Sequence, residues 1–130
     1  MSKKILTIDD DVDLTDSIKA WFEARGYAVR AAHSGAEGKK AIRQERPDAI
    51  ILDVMMDTDA DGFNLAYELK GDAATRDIPI VLLSGFTDHL ADKAPSFEFV
   101  MGRDWPATEY LKKPASLQSI GEAVERVLGS

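Results

Sequence analysis

Short, almost wholly apolar runs of strand length recur along this chain of 130 residues and alternate with segments of helical periodicity. The clearest runs lie at 5–8, 49–52 and 78–83, and polar residues follow each of them. Strands that are apolar throughout are buried on both faces, which is typical of a parallel sheet covered by helices. The sequence therefore predicts one α/β domain, and its length suits a single buried core.

Segments with one apolar face at helical spacing separate these runs. Gly26 gives the first segment a stop signal, and Ser34 and Glu37 have the spacing of a capping box that opens the second. A third segment runs through Lys70, and a last one with a continuous apolar face begins at Leu117. The apolar face of the first segment consists of Leu14, Ile18, Trp21 and Phe22.

Two further strands are predicted at 27–32 and 109–112, which brings the expected sheet to five strands. Right-handed crossovers leave few strand orders, and we expect the flavodoxin-like order 2-1-3-4-5 in a three-layer sandwich. In this order the carboxyl ends of strands one and three lie side by side at the switch point, where such sheets bind ligands.

Acidic residues stand at these two strand ends. Asp9 and Asp10 follow the first apolar run, and Asp53 follows the run at 49–52. Two carboxylates about 4 Å apart repel by roughly 4 kcal/mol at an effective dielectric of about 20, so converging acids need a cation or must lose charge. If the three meet, the natural partner is a hard dication such as Mg²⁺.

Composition excludes several classes of function. The chain has no cysteine, which excludes disulfides, thiolate zinc sites and cysteine nucleophiles and fits a reducing cytoplasm. Its 16 basic and 23 acidic residues give a net charge of −7, without a cluster of Lys and Arg along the sequence. We therefore expect neither nucleic acid nor an anionic membrane as a direct partner.

The start of the chain leads directly into the first apolar run. No long apolar segment and no small-residue cleavage pattern follow Met1, so the sequence indicates neither a signal peptide nor a membrane span. We expect a cytoplasmic protein made of one domain over residues 1–130, without an output domain.

Five positions at predicted strand ends match a known family. They are the pair Asp9-Asp10, Asp53, Ser84, and Lys113 followed by Pro114. This order resembles the receiver domain of two-component response regulators, whose fold is CheY-like, and the resemblance covers essentially the whole chain. It implies a signalling module rather than an enzyme, which at most catalyses its own phosphorylation and dephosphorylation.

The resemblance implies a role for each of these positions. Asp53 accepts a phosphoryl group from a histidine kinase or phosphotransfer protein, and Ser84 and Lys113 bind the phosphoryl oxygens. Tyr110 turns inward as Ser84 moves, which switches a surface for a downstream protein target, and the peptide bond before Pro114 is cis. Mg²⁺ is bound by Asp10, Asp53 and the backbone carbonyl of Met55, with Asp9 acting through water.

Three other interpretations come from different classes of protein. The chain could be a receiver-like docking module that is never phosphorylated. The segment 11–15 has the D-x-D-x-T form of haloacid-dehalogenase-type phosphatases, but only Glu122 and Glu125 follow Lys113, both on a helix. We therefore interpret Asp11 and Asp13 as parts of a helix N-terminus. A flavodoxin is excluded because three carboxylates would repel a flavin phosphate.

A calcium-loop pattern is also present, in full. Its residues are Asp57, Asp59, Asp61, Gly62 and Glu68. A strand is predicted before this segment, where a calcium loop requires a helix, so we interpret the match as a coincidence that leaves weak cation binding open.

The chain departs from the family pattern before the last strand. The 28 residues between Ser84 and Lys113 are more than receivers usually have, so we expect the helix at 88–94 to be short or irregular. His33 and His89 lack the spacing of metal ligands, and we expect both at the surface.

Overall fold

The computed structural model describes residues 3–53, 61–84, 109–112 and 116–128. These residues contain five strands, which form one parallel sheet. The strands are β1 (Lys4–Ile8), β2 (Ala28–Ala32), β3 (Ala49–Asp53), β4 (Ile80–Ser84) and β5 (Glu109–Lys112). They lie in the order β2-β1-β3-β4-β5, so the predicted flavodoxin-like order is confirmed.

Four helices in the described part of the chain accompany this sheet. They are α1 (Val12–Glu23), α2 (Gly35–Gln44), α3 (Asp61–Gly71) and α4 (Leu117–Val127). Asp11, Ser34 and Ser116 cap α1, α2 and α4, because each side chain accepts a hydrogen bond from a backbone N–H of the first turn. None of the described helices has the length and apolar character needed to cross a membrane. The predicted short helix at 88–94 lies outside the described residues.

The sheet separates two apolar layers, and successive residues of a strand point to opposite ones. In β3, Ile50 and Leu52 pack in the layer with α2 and α3, whereas Ile51 packs in the layer with α1 and α4. All five residues of β3 are buried. Burying one Ile or Leu side chain contributes about 1.5–3 kcal/mol, so the central strands supply much of the driving force for folding.

Two strands begin later than the sequence predicts. Tyr27 stays in the turn after α1, because its N–H donates to the carbonyl of Phe22 at 3.1 Å. Ile78 is buried, but its N–H donates to the carbonyl of Thr75 at 3.0 Å, and the Lys70 ammonium donates to the Ile78 carbonyl at 3.1 Å. Backbone groups that were predicted to form hydrogen bonds within the sheet therefore form them with nearby turns and with Lys70 instead.

Candidate metal centre

Three acidic side chains meet at the carboxyl end of the sheet. Asp9 and Asp10 follow β1, and Asp53 is the last residue of β3. Strands β1 and β3 pair in parallel with Ile8 opposite Leu52, so the residues that follow leave the sheet side by side. One carboxylate oxygen from each of the three acids lies within 4.8 Å of the other two. Acids that are far apart in the sequence therefore form one acidic cluster.

The acidic cluster combines buried and exposed carboxylates. Asp9 is 1% and Asp53 3% exposed, whereas Asp10 is exposed to solvent. Two carboxylates separated by 4.8 Å repel by about 3 kcal/mol at an effective dielectric of about 20. Burial also removes hydration that stabilises a carboxylate in water. A bound cation would offset both costs.

Hydrogen bonds with backbone groups hold Asp9 in place and connect it to the start of α1. The Asp9 N–H donates to the carbonyl of Ala32 at the end of β2, at 3.0 Å. The Asp11 N–H donates to Oδ1 of Asp9 at 2.9 Å, and Oδ1 of Asp11 accepts from the N–H of Leu14 at 3.1 Å. Asp11 therefore caps α1, as expected for a helix N-terminus, and its N–H orients the Asp9 carboxylate.

The donors of the acidic cluster fit Mg²⁺. This ion prefers near-octahedral oxygen ligands at about 2.1 Å, which places neighbouring ligand oxygens about 3 Å apart and opposite ones about 4.2 Å apart. The three carboxylate oxygens lie within 4.8 Å of one another, a limit only slightly above the larger of these two spacings. Mg²⁺ usually keeps several waters, and the exposed Asp10 gives the cluster a side that meets solvent.

Two more predicted site residues lie on the neighbouring strands. Ser84 is the last residue of β4, one position beyond Leu83, which pairs with Asp53. Tyr110 lies on β5 and pairs with Leu82. The other predicted residues, Met55, Lys113 and Pro114, lie outside the described residues, so their roles stay predictions.

The calcium-loop pattern has a different geometry in its described part. Asp61 and Gly62 are the first two residues of α3, whereas the pattern requires both in the loop. The carboxylate of Glu68 forms an ion pair with Lys39 of α2, with 2.5 Å between Nζ and Oε2. Strand β3 stands before the segment in place of a helix. Asp57 and Asp59 lie outside the described residues.

A histidine beside the acidic cluster has a contact that the sequence did not reveal. His33 directly follows β2, and its side chain is 37% exposed, so it reaches the surface as predicted. Its Nε2 lies 3.1 Å from the hydroxyl oxygen of Thr15, a fully buried residue of α1. A lone histidine carries no spacing signal for such a contact, because its partner lies 18 positions earlier.

Comparisons with known proteins agree with this geometry. The family model of the response regulator receiver domain matches residues 5–125. This chain belongs to that family. The receiver domain is 36% identical over 120 residues to the response regulator MprA of Mycobacterium tuberculosis. This alignment covers 92% of this chain and 48% of that protein. For MprA of Mycobacterium avium the identity is 34% over 117 residues, with 90% and 47% covered. The receiver domain thus spans about half the length of these curated relatives.

Solved structures share the fold of this receiver domain. The signal receiver domain of a signal transduction histidine kinase from Syntrophus aciditrophicus matches with a TM-score of 0.82 and 29% identity, covering 98% of this chain and 90% of that one. The chemotaxis response regulator CheY4 of Vibrio cholerae matches with a TM-score of 0.81 and 25% identity, covering 98% and 99%. The predicted CheY-like fold is therefore confirmed.

Proposed function

We propose that this receiver domain is the phosphoacceptor of a two-component phosphorelay and that Asp53 receives the phosphoryl group. The observation that carries the proposal is the convergence of Asp53 with Asp9 and Asp10, whose carboxylate oxygens lie within 4.8 Å of one another. Membership of the receiver family supports the same role. In this role the domain is a signalling module whose only chemistry is its own phosphorylation and dephosphorylation.

The donor in this proposal is a phosphohistidine of a histidine kinase or of a phosphotransfer protein. A carboxylate oxygen of Asp53 attacks phosphorus, and the new O–P bond forms as the P–N bond to the imidazole breaks. The imidazole nitrogen keeps the bonding electron pair and takes up a proton, so nothing is oxidised or reduced. Positioning and charge neutralisation contribute most to such a transfer, because it needs little covalent assistance.

Charge in the transfer would be neutralised from several sides. The proposed ligands of Mg²⁺ are the carboxylates of Asp10 and Asp53, the backbone carbonyl of Met55, and Asp9 through a water. When bound, the ion offsets the negative charge of the carboxylates and of the phosphoryl oxygens. Lys113 supplies a further cation and Ser84 a hydroxyl donor to these oxygens.

Phosphorylation would then change a surface formed by β4, β5 and α4. We propose that Ser84 moves toward the phosphoryl group and that Tyr110 turns into the space it leaves, which shifts the population between two packings. The two residues lie on paired strands, two positions apart in register, and this supports the coupling. The cis peptide bond before Pro114 remains part of the proposal.

The proposed partners are proteins. A histidine kinase or phosphotransfer protein acts upstream, and a downstream protein target reads the switched surface. The net charge of −7 disfavours direct binding of nucleic acid or of an anionic membrane. We place this function in the cytoplasm and assign it to residues 1–130 as one domain.

Phosphorylation of the isolated chain tests the proposal. The chain is incubated with Mg²⁺ and a small phosphodonor, or with the phosphorylated cognate kinase, and its intact mass is measured. We expect one added phosphoryl group on the wild type and none on Asp53→Asn. The control is Asp48→Asn, at the amino end of β3, where the aspartate accepts a hydrogen bond from the Lys4 N–H at 2.7 Å. This variant should be phosphorylated like the wild type.

Other outcomes of the same experiment would identify the alternatives. No gain of mass with either donor would contradict the proposal and favour an unphosphorylated docking module. Sustained release of phosphate from many equivalents of an added phosphate ester would instead indicate a small aspartate-based phosphatase.

A further inference from the structure

His33 and Thr15 connect the end of β2 with the first turn of α1. The Nε2 atom of His33 lies 3.1 Å from Oγ1 of Thr15, and the same oxygen lies 3.0 Å from the carbonyl oxygen of Val12. A hydroxyl has one proton, and a carbonyl oxygen can only accept. Both contacts are hydrogen bonds only if Thr15 donates to Val12 and the Nε2–H of His33 donates to Thr15. The histidine is therefore the donor in this pair.

The start of α2 holds the backbone of this histidine. Oε2 of Glu37 accepts a hydrogen bond from the backbone N–H of His33 at 2.7 Å, and the N–H of Glu37 donates to Oγ of Ser34 at 3.1 Å. The Nδ1 atom of the ring lies 3.8 Å from Oε2 of Glu37, which is too far for a hydrogen bond. The backbone of His33 is thus held by α2, and its ring contacts α1 through Thr15.

The turn that Thr15 anchors begins at the acidic cluster. Asp11 caps this turn, and its N–H donates to Oδ1 of Asp9 at 2.9 Å. The Asp9 N–H donates to the carbonyl of Ala32, the residue before His33, at 3.0 Å. The segment that carries the first two acids is therefore attached to the end of β2 at two points, the backbone of Asp9 and the first turn of α1.

We infer that His33 is a positioning residue for the acidic cluster. By holding the first turn of α1 against the end of β2, it sets where Asp9 and Asp10 stand relative to Asp53 on β3. A shift of this turn moves two of the three carboxylates together, and near-octahedral coordination at about 2.1 Å tolerates little displacement. The inference rests on the proposed function for the identity of the ion.

Two measurements on the full chain test this role. Titration calorimetry gives the Mg²⁺ affinity, and thermal unfolding in metal-free buffer gives the melting temperature. Removing groups that orient metal ligands typically weakens binding by about 10–100-fold, and because His33 acts through Thr15 we expect a severalfold loss of affinity, up to about tenfold. His33→Leu and Thr15→Val should each show this loss. The Mg²⁺ affinity of the double variant should be no lower than that of the weaker-binding single variant. His33→Gln should recover most of the affinity, because its amide N–H can replace Nε2–H.

Thr75→Val is the matched control. It removes another buried hydroxyl, which donates to the carbonyl of Leu69 at 2.6 Å ahead of the amino end of β4. This variant should lower the melting temperature and leave Mg²⁺ affinity unchanged. Equal affinity in the wild type and His33→Leu would overturn the inference and leave the proposed function intact, as would a loss that His33→Gln fails to restore. Absence of Mg²⁺ binding by the wild type would overturn both.

Discussion

The indole ring of Trp21 on α1 covers Gly121 on α4 so closely that a Cβ on the glycine would overlap the ring carbons. The ring also meets Phe22 edge-on, with 5.0 Å between ring centroids, and the guanidinium carbon of Arg25 lies 3.5 Å from its centroid. Because several neighbours hold the indole, it cannot move away without other changes. The glycine therefore sets how closely α1 and α4 approach each other.

Gly121→Ala should destabilise the protein. Forcing an extra methyl group into a packed contact costs about 1–3 kcal/mol, and here the group in its way is a rigid ring. Urea unfolding measures the loss of unfolding free energy. Gly71→Ala is the control, because a Cβ there meets nothing within 4 Å. If Gly121→Ala were as stable as the control, α1 and α4 could move apart to accept the methyl group without a loss of unfolding free energy, and the prediction would be wrong.

Mg²⁺ should raise the melting temperature of the wild type, and Asp10→Asn should reduce the rise. An ion present at about 100 times its Kd stabilises the folded state by about 2.7 kcal/mol, or roughly 10 °C for a domain of this size. Differential scanning calorimetry with and without Mg²⁺ measures the shift. The control is Asp16→Asn, at an exposed position on α1, whose melting temperature should rise with Mg²⁺ as much as that of the wild type. An undiminished shift in Asp10→Asn would exclude this carboxylate as a ligand.

Glu68→Gln should have only small effects on stability and on cation binding. The ion pair between Glu68 and Lys39 joins side chains that are 55% and 41% exposed, and exposed pairs contribute less than about 1 kcal/mol. Urea unfolding and Ca²⁺ titration calorimetry check the two effects. Ca²⁺ binding that disappears in Glu68→Gln but persists in Asp53→Asn would instead support the calcium-loop interpretation.

The stability of the wild type relative to Lys70→Met should rise at alkaline pH. Burial lowers the pKa of Lys70, and the charge of Asp77 offsets part of this shift. Between the lowered pKa and the ordinary value of 10.5 the unfolded chain binds more protons than the folded one, so the unfolding free energy rises with pH. Urea unfolding of both proteins at neutral pH and at increasing pH toward 10.5 measures the difference. A relative stability that falls over this range would contradict the burial of the ammonium.

The order of elements could be predicted because its signals are local. Strand β3 is buried along its whole length, so its apolar character appears directly in the sequence. The caps at Asp11 and Ser34 were equally predictable, since a cap bonds to an N–H three residues away. The strand order then followed from the few topologies that right-handed crossovers allow.

Strand boundaries were less predictable, because apolar character reports burial and not hydrogen bonding. Tyr27 and Ile78 belong to segments predicted as strands, yet both donate their N–H groups to carbonyls of turns. For Ile78 the turn also depends on the Lys70 ammonium, which reaches across from α3. Such a contact leaves no periodic trace in the sequence.

Local signals in the sequence were enough to predict which acids stand at the ends of β1 and β3. The packing of the elements buries Asp9 and Asp53 almost completely, leaves Asp10 exposed to solvent, and brings carboxylate oxygens of the three residues within 4.8 Å of one another. The contact between His33 and Thr15 also depends on this packing, because the two residues belong to different parts of the sequence. The difference arises because burial patterns, caps and turn signals depend on nearby residues, whereas distances between side chains depend on how separate elements pack against one sheet.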